Sequence, residues 1–181
     1  MNSKTGAFVQ YTQAVNRYLK NNVSRDDIWD AITNYDDMVE NIKSIRKIEI
    51  HELPKGVAKS SDLKGCNDIS GLVWSETVSK NDQIATGKMT VTKCVGKEYY
   101  ETYSKVRGLS FVTKVYIKEE DSNLYIGMEV DCVPLSCCGK LLMMCCADGI
   151  MREETRKALM SDLCDIQKTA EKSAAEIEVN C

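Results

Sequence analysis

The stretch from Leu72 to Cys132 confines the fold more than any other part of the chain. It is a run of five segments that alternate apolar and polar residues, separated by turn chemistry. Leu72, Trp74, Glu76 and Val78 share one face of the first segment, and Met89 and Val91 lie on one face of the second, Gln83 to Val95. The third, Glu98 to Val106, is aromatic, with Tyr99, Tyr100 and Tyr103, and charges on both faces leave its inner side open. Leu109, Phe111, Val115 and Ile117 alternate in the fourth. Leu124, Ile126, Met128, Val130 and Cys132 do so in the fifth, against Glu129 and Asp131. A period of two marks strands with one buried face. Lys80-Asn81-Asp82 and Glu119-Glu120-Asp121-Ser122-Asn123 supply hairpin residues, so neighbouring strands are expected to run antiparallel.

The flanks add strands and helices. Ala7 to Leu19 carries Val9, Tyr11 and Val15 at even spacing, which predicts a further strand. Ser24 followed by Arg25-Asp26-Asp27 predicts a capped helix with an acidic first turn and an Ile28, Trp29, Ile32 stripe, ending near Asn34. Asp37 to Ile42 predicts a second short helix, and Ile45 to Leu53 a strand with Ile48 and Ile50 on one face. Val57 to Ser70 is a polar loop and a candidate lid. From about Leu135 to Ala175 there is no proline, and Leu159, Leu163, Ile166 and Ala170 follow helical spacing, which predicts one long helix. The expected order is one strand, two short helices, six strands and a long helix: an α+β fold with a seven-stranded antiparallel sheet. One helix is too narrow to fill a strongly curved sheet, so a cavity between the two is expected.

The chain's 181 residues suit one domain, with a core over about 7–175 and a mobile tail over 176–181. A net charge of −3, from 24 basic and 27 acidic residues, gives no basic stripe for nucleic acid. The longest apolar run, Val133 to Met151, is broken by Pro134, Lys140 and Asp148, so no transmembrane segment is expected. The N-terminal residues lack a secretory layout, which points to a cytoplasmic protein whose nine cysteines are free thiols.

Several motifs, taken in order, carry a family resemblance. Val23-Ser24-Arg25-Asp26-Asp27-Ile28-Trp29-Asp30-Ala31-Ile32-Thr33-Asn34-Tyr35-Asp36 resembles the opening of the polyketide cyclase/dehydrase and lipid-transport group in the START-like (SRPBCC, birch-allergen-like) superfamily. Gly71-Leu72-Val73-Trp74-Ser75-Glu76-Thr77 is similar to a strand motif of that group. Met89-Thr90-Val91-Thr92, Leu159 and Asp162-Leu163-Cys164-Asp165-Ile166-Gln167-Lys168 are similar to its later landmarks. The resemblance spans roughly Ala7 to Glu171. It implies the helix-grip fold and a hydrophobic cavity closed by the C-terminal helix. Its members bind lipids, sterols, hormones, polyketides or quinones, and a minority catalyse cyclisation or dehydration.

Fold alone does not choose among these activities, so side chains must. The candidate cavity residues are Trp74, Glu76, Met89, Val91 and Phe111, with Val115, Ile126 and Met128 on the later strands and Leu159 and Leu163 on the helix. Core packing explains any one of them singly. Glu76 is the informative member, because alternation points its carboxylate inward with Trp74, where an unpaired charge is costly. It is a polar anchor for a ligand, a general acid if the protein is an enzyme, or half of an internal salt bridge. The single histidine, His51, is expected at the surface. No predicted pocket element holds an imidazole, which weighs against catalysis. Trp29 is expected to be a packing anchor. Cys132, Cys137, Cys138, Cys145 and Cys146 crowd fifteen residues without zinc-ligand spacing, and small buried side chains explain them. No metal or cofactor is expected. The expected partner is a small hydrophobic molecule, with a cyclase-type enzyme or a scaffold with a filled core as alternatives; oligomeric state is open.

Overall fold

Backbone hydrogen bonds join seven strands into one antiparallel sheet in a computed structural model that describes residues 11–19, 22–80, 83–106, 108–136 and 150–179. The strands are β1 (Tyr11–Tyr18), β2 (Ile45–Glu52), β3 (Val73–Lys80), β4 (Gln83–Val95), β5 (Tyr99–Val106), β6 (Leu109–Glu120) and β7 (Asn123–Pro134). Their spatial order is β1-β7-β6-β5-β4-β3-β2. The six later strands form a meander, and β1 pairs with β7 at one edge, Tyr11 opposite Cys132. The β6–β7 turn needs only Asp121 and Ser122, both at positive φ, which suits the twist of a two-residue hairpin. Register shifts between Val91 and Lys93, and at both ends of β2, bend the strands.

Two short helices, α1 (Arg25–Thr33) and α2 (Met38–Asn41), carry the chain from β1 at one edge to β2 at the other. The expected capping box starts α1: the Asp27 amide donates to Ser24 Oγ at 3.2 Å, and the Ser24 amide donates to Asp27 Oδ2 at 2.8 Å. Its inner face buries Ile28, Trp29, Ile32 and Thr33. The Trp29 indole N–H donates to the Cys66 carbonyl at 2.8 Å, and the Gly65 amide donates to Thr33 Oγ1 at 2.9 Å. These bonds pin the polar loop. Leu63 and Ile69 within it are fully buried, so the segment expected as a lid is an anchored layer of core.

The long helix α3 (Ile150–Val179) buries Leu163, Ile166, Ala170 and Ala174. It packs chiefly on β1 and α1, and more lightly on β7 and α2. Polar links fix it: Arg17 Nε donates to Gln167 Oε1 at 2.7 Å, and Ser44 Oγ donates to Asp162 Oδ1 at 2.8 Å. One expectation about this helix needs correction. It does not begin at Leu135, because the Leu135 amide donates to the Gly108 carbonyl at 2.8 Å and extends strand pairing past Pro134. The helix runs to Val179, with an exposed Lys172–Glu176 pair at 3.8 Å in its last turns. Residues 7–10, the turn residues Asn81 and Asp82, Cys137, Cys138, Cys145 and Cys146, and the final two positions lie outside the described residues.

If the loop is core, Leu63→Ala will behave as a core truncation. Urea denaturation is expected to give a loss of about 2–5 kcal/mol. A loss within the ±0.5 kcal/mol or so of ordinary surface changes would contradict this packing.

Candidate functional site

Because α3 lies over the β1 side of the sheet and against α1, the middle strands are left partly uncovered. A cavity of about 210 Å³ occupies that space. Cross-strand neighbours build its floor: Trp74 faces Met89, Tyr100 faces Val115, Val115 faces Met128, and Thr102 faces Thr113. Leu159, Asp162 and Ile166, at helical spacing, close it from α3. Ile32, Tyr35, Met38, Ile42 and Ile45 close it from the α1–α2–β2 segment.

Six of the residues expected at the site thus come together here: Trp74, Glu76, Met89, Val115, Met128 and Leu159. Val91, Ile126 and Leu163 are buried in the adjoining core and do not line the cavity. Phe111 packs with Leu109 and Cys132 in a separate small cluster. Trp29 is fully buried, edge-on to the Tyr100 ring at 6.3 Å. His51 is exposed, its Nε2 2.7 Å from Ser75 Oγ.

Polar lining residues absent from the sequence-based set are Tyr35, Tyr100, Thr102, Thr113 and Asp162. Two of them had a readable signal. Within Tyr99–Val106 every charge falls on odd positions, which leaves Tyr100, Thr102 and Ser104 buried; Glu98, which blurs that alternation, lies in the preceding turn. Tyr35 follows the end of α1, is 2% exposed, and meets Trp74 edge-on at 5.0 Å.

Glu76 is a perturbed carboxyl at the sheet side of the site. Its strand neighbours are Ile48 on β2 and Gly87 on β4, so no cation faces it, and no described lysine or arginine pairs with it. The internal salt bridge considered from the sequence is absent among the described residues. Burial pushes the carboxyl above its ordinary range, and the negative charge of Asp162 pushes the same way. A long 3.5 Å hydrogen bond from the Trp74 indole opposes burial, and outweighs the Asp162 charge without cancelling the rise. Burial also raises the Tyr35 and Tyr100 phenols, and the nearby Glu76 charge adds to it. The two phenols are close enough to act on each other's ionisation. Even so, the Tyr35 hydroxyl has no hydrogen bond of ordinary geometry among the described residues.

Asp162 also borders an outer groove of about 630 Å³, lined by Lys43, Ser79, Lys157 and Ser161 among others. Burial raises the Cys94 and Cys132 thiols, which makes them poor nucleophiles. Among the described residues no three His, Cys, Asp or Glu side chains converge as metal ligands, and no helix is long and apolar enough to cross a membrane.

No family model matches the sequence, and no curated protein matches it. Solved structures do match. The Ara h 8.0201 structure aligns over 92% of this chain and 99% of its own, with a TM-score of 0.58 at 14% identity. Major latex-like protein 151 from Panax ginseng aligns over 88% of this chain and 97% of its own, with a TM-score of 0.62 at 11% identity. The chain has the helix-grip fold. The di-domain ARO/CYC protein StfQ, from the steffimycin biosynthetic pathway, shares it with a TM-score of 0.65 at 11% identity over 92% of this chain. The chain spans only 52% of StfQ, about the size of one of its two domains. At these identities the likeness concerns the helix-grip architecture alone. What this cavity does must come from its own lining.

The sign of the Glu76 effect on stability follows from proton linkage. The unfolded carboxyl titrates near 4.5 and the folded one higher. Between those values the folded state holds the extra proton, so stability falls as pH rises through this window. Glu76→Gln removes that fall. Its melting temperature is expected to exceed wild type by a few degrees at about pH 8, with the gain shrinking towards about pH 4. An equal difference at both pH values would contradict an uncompensated buried carboxyl.

Proposed function

We propose that this protein binds a small, mostly apolar molecule in the cavity between the sheet and α3. The observation that carries this reading is the lining itself: apolar walls from the sheet, α3 and the α1–α2–β2 segment around a few convergent polar groups. That is the usual composition of a small-molecule site. Met38, Met89 and Met128 add adaptable side chains to the wall. Burial of the ligand's apolar surface, worth about 25 cal/mol per Å², would drive binding, and Glu76 with the phenols would orient it.

The volume narrows the ligand class. A dry cavity of about 150 Å³ takes benzene. The 210 Å³ bounded by the described residues suits a one- or two-ring molecule or a short acyl chain and favours these over a sterol skeleton. Residues outside the cavity lining, among them Phe111 and Ile126, would act by packing and not by contact.

A second reading, a cyclase- or dehydratase-type reaction in the same space, draws support from the raised Glu76 carboxyl beside two phenols, a ready proton donor. Under that reading Glu76→Gln would abolish turnover of a polyketide-like substrate that still binds.

Equilibrium dialysis with indole, naphthalene and cholesterol tests the binding reading. Indole and naphthalene are expected to bind saturably with one site, and cholesterol not at all. Leu159→Trp, which fills the cavity from the helix side, is expected to abolish binding while the far-ultraviolet circular dichroism stays unchanged. Absence of saturable binding by either small probe would overturn the reading and favour a scaffold with a filled core.

A further inference from the structure

We propose, resting on the reading of the cavity as a ligand site, that its ligand is a small hydrophobic amine held as its ammonium ion, with Glu76 as the counter-ion. The cavity lining contains two carboxylates, Glu76 and Asp162, and no lysine, arginine or histidine among the described residues. Lys43 and Lys157 line the outer groove instead, and Lys157 lies 3.8 Å from Glu153 and 3.7 Å from Glu154. A fatty acid or other anion would therefore bring its charge beside two like charges with no cation to receive it, an arrangement that burial makes costly.

An ammonium meets the opposite situation. Glu76 has Ile48 and Gly87 as its strand neighbours and only a 3.5 Å indole hydrogen bond, so a cation entering the cavity supplies the charge this carboxylate lacks. The Tyr35 hydroxyl, buried and facing the same cavity, makes no hydrogen bond of ordinary geometry among the described residues, although the Tyr100 phenol lies close to it, and its oxygen has a lone pair left to accept. A primary ammonium has three donors. Glu76, the Tyr35 oxygen and the Tyr100 oxygen are three acceptors of matching polarity. The Tyr35, Trp74 and Tyr100 rings all line the cavity, and aromatic faces attract cations most strongly where water is excluded. Apart from Thr102, Thr113 and Asp162, the remaining walls are aliphatic or thioether and would hold the body of the ligand. An arylethylamine is of the right size.

A matched series separates charge recognition from simple cavity binding. Isothermal titration calorimetry at about pH 7.5 would compare 2-phenylethylamine, 2-phenylethanol and phenylacetate, three molecules of nearly equal size. The amine is expected to bind about tenfold or more tightly than the alcohol, as a charge-assisted contact requires, and phenylacetate weakest of the three. Glu76→Gln is expected to remove the amine's advantage over the alcohol when both are measured on that variant. The wild-type ranking decides even if that variant fails to fold. Alcohol equal to or tighter than amine, or phenylacetate tightest, would overturn the amine assignment and leave the cavity reading standing. No binding by any of the three would overturn both.

Discussion

One geometric mismatch shapes the molecule: the long helix lies on a sheet more than twice its width. Seven strands at roughly 4.8 Å spacing span about 29 Å across the sheet, whereas a helix with its side chains is roughly 10–12 Å across. Curvature, helped by the register shifts in β2 and β4, reduces the gap without closing it. The rest of the inner face is covered by α1, α2 and the pinned loop that carries Leu63 and Ile69. With α3 committed to β1 and α1, the space over β3 to β6 is filled only by side chains projecting from the rim. The cavity is what those side chains do not fill.

The same geometry accounts for the odd electrostatics. A strand that alternates inward and outward puts every second residue into that space, whatever its chemistry, and on β3 one of these is Glu76. Its neighbours across the sheet, Ile48 and Gly87, offer no charge. Asp162 enters from α3 at the same stripe position as Leu159 and Ile166, stabilised by the Ser44 hydroxyl. Polar groups of this kind cost stability and give nothing to a filled core. Glu76, which no described cation meets, is intelligible as a group that a ligand completes.

Much of this was legible in the sequence. The period-two runs between Leu72 and Cys132 and the Ser24 capping box follow from local rules that tertiary packing did not override. The inward direction of Glu76 and its company of Trp74 and Met89 came from alternation alone. What was hidden depended on where elements begin and end. Counting Glu98 as strand obscured the inner face of β5, and with it Tyr100 and Thr102. Tyr35 sits between two helices where no periodicity applies, so only the folded chain brings it against Trp74. The Val57–Ser70 loop looked like a lid because its composition is polar, yet two apolar residues and two backbone hydrogen bonds make it core. Phe111 shares the alternation of Val115 but lies two residue pairs further along β6, in the cluster with Cys132.

The central claim is that a small molecule occupies the space between the sheet and α3, and methionine methyl NMR tests it most directly. Of the eight methionines, Met38, Met89 and Met128 line the cavity, while Met160 packs on the core outside it. Titration with indole should shift the methyl resonances of Met38, Met89 and Met128 together along one binding curve and leave Met160 in place. Shifts confined to other methionines, or none at saturating indole, would contradict the account.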